Sequence, residues 1–325
     1  MIITENILSN DYDKYIPDEY KILFNDDFIV LDIETTGFSR EKSTIMLIGL
    51  IIKSNDSIIS KQFFAESLSE EKQLLITLKN LLSSMKNYFL ITYNGYSFDI
   101  PFINAKLKKH NIDFQIPNVY NFDIYRLIRA NKKFLNLERY NLKSVEKFLQ
   151  INRKDTISGK ENIELYYNYL TTKNENILKT ILLHNYEDIL YLLPILKILS
   201  YFSYNQIIKF FPKPISDTIY IKLVEKKYNF LIVTLFSKNN LAINYYNEYC
   251  SITSNDQDIT VKFSLQSLLI DNTTYQLINS NIIFDSDFDT LTADKKNSLI
   301  IAINNEFQYL NIILNLKHYF KKLLP

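Results

Sequence analysis

Asp32 and Glu34 stand two residues apart in FIVLDIETTG, where Phe28, Ile29, Val30 and Leu31 lead in and Ile33 lies between the acids. Such an apolar run reads as a strand buried on both faces. Side chains alternate along a strand, so the two carboxylates leave one face together. Two like charges beside a core are costly unless something positive sits between them. Carboxylate oxygens are the natural ligands of Mg²⁺ and Mn²⁺, so a divalent cation is the chemistry this pair asks for. Thr35, Thr36 and Gly37 mark the strand's end after the acids. That order argues against a solvated acid pair in a loop.

Two further clusters have the spacing to join them. In YNGYSFDIPF, Asp99 falls in the first turn of a helix that follows the Asn94-Gly95 turn. An acid there is common for the helix dipole alone. Asn94 and Gly95, however, end a strand expected beside the first, which brings Asp99 to the same sheet end. In LLHNYEDILYL, His184 and Asp188 are four apart and share a helix face. The stripe continues through Ile177, Ile181, Leu192 and Ile195, all apolar. Taken alone, the pair reads as a core histidine bonded to its aspartate; the other acid clusters turn the balance towards a site.

The elements that must position these groups follow from hydrophobic period and turn chemistry. Strands are expected at Phe28–Glu34, Ile45–Lys53, Ile58–Ala65 and Phe89–Asn94, with a turn at Ser54–Ser57 and a fifth strand within Tyr120–Leu127. Helices are expected from about Ser69 and over Phe98–His110. Three strands, a helix, a strand, a helix and a strand is the order of an α/β, ribonuclease H-like mixed sheet with flanking helices. Residues 1–27 read as an irregular lead-in and residues 28–211 as the main domain. From Asn141 the pattern is helical, with one long stretch from Asn174 to about Phe202. Pro212 and Pro214 mark a boundary. Residues 212–325 read as a smaller α+β appendage, a β meander to about Leu277 and then a single closing helix from Ala293.

In this order, Asp32 and Glu34, Asp99, and Asp188 resemble the three motifs of the DEDD superfamily of 3′–5′ exonucleases. More narrowly, TYNGYSFDIPF, NFDIYRL, NLKSVEKFLQINRKDTISG and HNYED resemble the YprB-type family of bacterial ribonuclease H-like exonucleases. The likeness spans roughly Phe28 to Leu199. It implies two divalent cations, Mg²⁺ or Mn²⁺, held by Asp32, Glu34, Asp99 and Asp188, with Asp32 bridging. It implies hydrolysis at single-stranded DNA or RNA ends, with Thr35, Thr36, Gly37 and Asn94 beside the substrate. His184 stands four before the last acid, where one branch of the superfamily has tyrosine, and would orient or deprotonate the water. Asp123 matches a family acid with a structural role. Lys106, Lys108 and Lys109 are read either as a phosphate-contacting patch or as a solvated helix face. The alternative is a nucleic-acid-binding protein that keeps the fold and has lost turnover; an acid-pair glycosidase is a distant third.

Composition bounds the rest. The net charge is +1, so no global field draws the chain to nucleic acid or anionic lipid, and any such contact must be local. Cys250 is the lone cysteine, which rules out an internal disulfide and a thiolate metal cluster and fits a reducing cytoplasm. The N-terminus lacks the pattern of a secretory signal, and the apolar runs are too short to span a bilayer. Arg40, Arg126, Arg129, Arg139 and Arg153 are the only arginines; every other strong base is lysine.

Overall fold

The computed structural model describes residues 1–323 except 10, 55–56, 86–87, 217 and 285–287, with side chains to residue 321. The chain divides into two compact units, Met1–Phe210 and Phe211–Pro325.

The first unit is a six-stranded sheet with helices on both faces. Its strands are β1 (Ile2–Leu8), β2 (Asp27–Thr35), β3 (Ile45–Ser54), β4 (Ser57–Phe64), β5 (Tyr88–Thr92) and β6 (Asn121–Asp123). Their order is β1-β4-β3-β2-β5-β6. The pairs β1–β4, β4–β3 and β3–β2 are antiparallel, whereas β2–β5 and β5–β6 are parallel. The helices are α1 (Glu71–Ser84), α2 (Asp99–Lys109), α3 (Ile124–Ala130), α4 (Leu142–Phe148), α5 (Gly159–Thr172), α6 (Glu175–Ile195) and α7 (Tyr204–Ile208).

Strand β2 is central and its two faces differ. Ile29, Leu31 and Ile33 pack with Leu74, Leu75 and Leu78 of α1 and Ile100, Phe102 and Ile103 of α2. Asp32 and Glu34 leave the opposite face, the side that α6 covers. On that layer Met46, Leu47 and Phe64 pack with Tyr166, Tyr169 and Ile181. The β2–β3 register shifts at Glu34/Thr35, and an irregularity of this kind re-aims side chains at a sheet end.

Several expectations need correction. The supposed irregular lead-in is an edge strand, β1, followed by two 3₁₀ turns that bury Tyr12, Tyr20 and Phe24. Strand β1 is a short run, IITENIL, whose apolar ends flank a polar centre, so it carries no clear period. The centre of the Ser54–Ser57 turn lies outside the described residues, as does the end of the closing helix. The long helix stops at Ile195, just after Pro194, and continues as 3₁₀ turns over Leu196–Tyr201. Proline lacks the N–H and crowds the preceding turn.

The second unit is an antiparallel sheet of β7 (Pro214–Ser216), β8 (Ile219–Lys227), β9 (Phe230–Ser237), β10 (Asn244–Tyr246), β11 (Cys250–Asn255), β12 (Asp258–Ile270), β13 (Thr273–Ile278), β14 (Ile300–Ile303) and β15 (Glu306–Phe307). Helices α8 (Ser280–Phe284), α9 (Ala293–Ser298) and α10 (Tyr309–Leu323) accompany it. Its core joins Leu231, Val233, Val261 and Phe263 to Ile312 and Leu316 of α10. The expected single closing helix is therefore α9, a hairpin and α10. The β-branched run at Ile300, Ile301 and Ile303 favours strand, and Asn304 and Asn305 both take positive φ, the conformation of a tight hairpin turn.

Candidate active site

Helix α6 closes over the acid-bearing face of β2 and delivers four polar side chains from HNYED. His184 brings Nε2 to 3.5 Å from Glu34 Oε1 and 3.8 Å from Asp188 Oδ2. Glu34, His184 and Asp188 each offer a ligand atom within 4.8 Å of the others. Asn185 donates from Nδ2 to Asp32 Oδ2 at 2.9 Å. Asp32 is thus held from α6, one residue along from the histidine. Asp99, the first residue of α2, accepts from the backbone N–H of Ile33 at 3.0 Å, which ties it to β2 between the two acids. The sheet end therefore gathers Asp32, Glu34, Asp99, His184 and Asp188, with the tightest group formed by Glu34, His184 and Asp188.

Three supports escaped sequence reading. Asp155 Oδ2 lies 2.8 Å from His184 Nδ1, so the histidine's hydrogen-bonding aspartate is Asp155, not its helical neighbour Asp188. Burial pushes the Asp155 carboxyl up, but His184 and the Ile157 N–H outweigh it and hold the carboxyl below its ordinary range. An ionised carboxylate only accepts, so Nδ1 carries the proton of this bond and Nε2 is the nitrogen that faces the acids. Glu187 accepts from the backbone N–H of Lys154 and of Asp155, at 3.0 and 2.7 Å, and so fixes the loop that presents Asp155. Arg153, from the same loop, pairs with Asp188 Oδ1 and reaches Glu146 at 3.5 Å. The signal for Arg153 and Asp155 was the polar density of NRKD, and for Glu187 its place in HNYED, but nothing in linear spacing tells which loop residue meets which helix face.

Asn185 needs room to reach Asp32, and Gly49 provides it. Gly49 is the cross-strand partner of Asp32. A Cβ there would lie 2.1 Å from Asn185 Oδ1. Gln62 of β4 then donates to Asn185 Oδ1 at 3.0 Å, fixing the amide's orientation.

The electrostatics are those of acids short of a cation. Burial pushes Glu34 up to about 7, although His184 opposes the shift. Burial also pushes Asp99 up to about 7, against the Ile33 N–H that favours its anion. Asp32 is raised by burial and then by the charges of Asp99, Asp188 and Glu34. Among the described residues, Arg153 on Asp188 is the only lysine or arginine salt-bridged to these four acids. Oxygen donors and one imidazole nitrogen, converging at a partly buried sheet end, fit a hard or borderline divalent cation.

The remaining expected residues are placed as follows. Thr35 Oγ1 donates to the Gly37 carbonyl at 2.8 Å, and Thr36 Oγ1 accepts from the Thr44 N–H at 2.9 Å. Both hydroxyls thus shape the turn after β2. Gly37 has φ +156° and its missing Cβ would sit 2.8 Å from Ser43 Oγ. Asn94 takes a left-handed φ of 68°. Asp123 accepts from the N–H groups of Asn94 and Tyr96, at 3.0 and 2.9 Å, and caps α3 through Arg126 N. Of the three lysines read as a phosphate patch or a solvated helix face, Lys108 and Lys109 are exposed and only Lys106 departs from both readings. Lys106 is fully buried, 3.7 Å from Glu71, because its place in α2 faces α1.

The family model described as the RNase H superfamily matches residues 29–200, just over half of the chain. Uncharacterized protein YprB of Bacillus subtilis is 29% identical over 166 residues, covering 50% of this chain and 39% of that protein. A PolC-type DNA polymerase III of Mycoplasma pneumoniae is 28% identical over 124 residues, 30% of this chain and 9% of the polymerase. The PolC-type polymerase of Mycoplasma genitalium is 30% identical over 129 residues, with 32% and 9% covered. The chain thus spans about two fifths of the Bacillus relative's length and under a tenth of each polymerase's.

Proposed function

The chain belongs to the RNase H superfamily, and on that footing we propose that it is a metal-dependent nuclease that removes nucleotides from the 3′ end of a single strand. The observation that carries this reading is the convergence of Glu34, His184 and Asp188, with Asp32 and Asp99 anchored beside them. The likeness to polymerase chains supports a nucleic-acid partner.

Asp32, Glu34, Asp99 and Asp188 would hold two divalent cations, which when bound supply water activation and charge for the departing oxygen. The chain's own residues do the rest. His184 keeps its Nδ1 proton on Asp155 and accepts the water proton at Nε2. The water oxygen bonds to phosphorus, the bond from phosphorus to the 3′ oxygen breaks, and that oxygen takes a proton from solvent, to which His184 then returns the one it accepted. A nucleoside 5′-monophosphate and a shortened strand with a free 3′ hydroxyl result. Asn185 fixes Asp32, and Arg153 fixes Asp188, so the donors are held before substrate arrives.

Labelled single-stranded DNA, single-stranded RNA and duplexes, each offered with Mg²⁺, Mn²⁺ or EDTA, test the proposal. Mononucleotide release from single strands, dependent on metal, is expected. Binding without release in any metal would point to the fold serving as a nucleic-acid-binding module.

A further inference from the structure

The chain is nearly neutral, yet residues 124–140 carry Arg126, Arg129, Lys132, Lys133 and Arg139 against the single acid Glu138. Three of the chain's few arginines fall here, although lysine supplies nearly all its other positive charge. Arg126 lies over the Tyr96 ring at 3.8 Å. Arg129 lies over Tyr125 at 5.8 Å and over Tyr140 at 5.6 Å. Tyr93 packs on Tyr125 with ring centroids 5.7 Å apart and donates its hydroxyl to the Tyr140 carbonyl. Both arginines are exposed, as are Tyr96 and Phe134.

This surface is tied to the acid cluster. Asp123 caps α3 and also accepts from Asn94 and Tyr96, in the turn that leads into Asp99. We infer that the tyrosine-backed arginines of α3, with the basic loop that follows, form a binding track for the single-stranded stretch of nucleic acid that leads to the cleaved end. The inference takes its partner from the nuclease reading above.

The chemistry favours a single strand over other anions. A guanidinium resting on a tyrosine has lost part of its freedom already, so it meets a phosphate at lower entropic cost. The exposed guanidinium groups, with Tyr96 under Arg126 and Phe134 under Lys133, make a cation–aromatic surface for unpaired bases. A duplex hides its base faces and would use only the charge.

Anisotropy of a 5′-labelled oligothymidylate, titrated in EDTA so that no turnover occurs, tests this on the full chain. Arg126→Ala/Arg129→Ala should weaken binding by about tenfold or more. The slope of log affinity against log salt should flatten by roughly 1.4, at about 0.7 for each lost phosphate contact. Lysine at both positions should restore the salt slope but not the full affinity, because charge returns without the stacking plane. Lys160→Ala/Lys179→Ala, exposed on α5 and α6, is an equal change of charge and should leave affinity within about twofold, since those positions are not part of the track. Equal losses in the two alanine pairs would reduce the effect to bulk charge and overturn the track. Wild-type binding to a blunt duplex as tight as to the single strand would overturn it as well. Because EDTA removes turnover from the readout, a nuclease that fails to cleave leaves this result standing, and an active nuclease with unchanged binding condemns the track alone.

Discussion

At the scale of single residues the account rests on division of labour among carboxylates. Asp32→Asn removes a ligand charge while keeping the Asn185 contact sterically intact, so turnover should vanish with the fold preserved. Calorimetric titration with Mn²⁺, alongside a thermal melt, checks both halves; unchanged metal binding would contradict the assignment. His184→Ala should cost roughly 10²- to 10⁴-fold in rate, the range for a positioned general base. Asp155→Asn is the sharper probe. Its amide can donate to Nδ1, which would move the ring proton to Nε2 and take away the acceptor. A rate loss approaching that of His184→Ala is expected in single-turnover measurements, whereas a wild-type rate would make Asp155 a packing residue. The acids themselves were legible in the sequence because strand and helix periods dictate which side chains share a face. Asp155 and Arg153 were not, because they sit in an aperiodic loop whose path is set by Glu187 from a distant helix.

At the scale of elements, the site is a contract between β2 and α6. Strand parity alone predicted that Asp32 and Glu34 would emerge together, and the structure has both under α6. What parity could not reveal is the gap that lets α6 come close. Gly49, between Ile48 and Leu50 in the apolar run of β3, provides it. Gly49→Ala should push Asn185 away from Asp32 at a cost of about 1–3 kcal/mol, typical of overpacking a core. It should also weaken Mn²⁺ binding by about 10- to 100-fold, the usual penalty for losing a residue that holds a metal ligand. Asn185→Ala should lower metal affinity similarly without the steric strain. Comparing the two variants by calorimetry and melting separates positioning from packing; equal stability loss with unaltered metal affinity would remove Asn185 from the site. The edge strand β1 and the closing hairpin were illegible for a different reason. The register of β1 depends on partners far along the chain, Phe64 for Ile2, and the hairpin adds to β13 through Ala302 opposite Gln276, although its own pairing across Asn304 and Asn305 is local.

At the scale of the whole molecule, the buried acids link metal, proton and fold. Glu34 and Asp99 sit up at about 7 in the metal-free protein, well above their ordinary values. The folded state therefore binds their protons more tightly than the unfolded chain does. Their stabilising contribution is full below about pH 4 and is lost as pH rises through about 7. Metal-free protein should melt at a lower temperature near pH 8 than near pH 5.5. Mn²⁺ should raise the melting temperature at the higher pH and lose that effect as protons compete below about 7. A melting temperature flat across this window, with or without Mn²⁺, would show that these acids do not form one charged centre. The central claim is metal-dependent hydrolysis at this centre, and the most direct measurement follows a 5′-labelled single strand on a denaturing gel with Mn²⁺ or EDTA, for wild type and Asp32→Asn side by side. The account expects a ladder shortening from the 3′ end in wild type with Mn²⁺ and an intact strand in the other three lanes; an intact strand in every lane, or an identical ladder from the Asn variant, would contradict it.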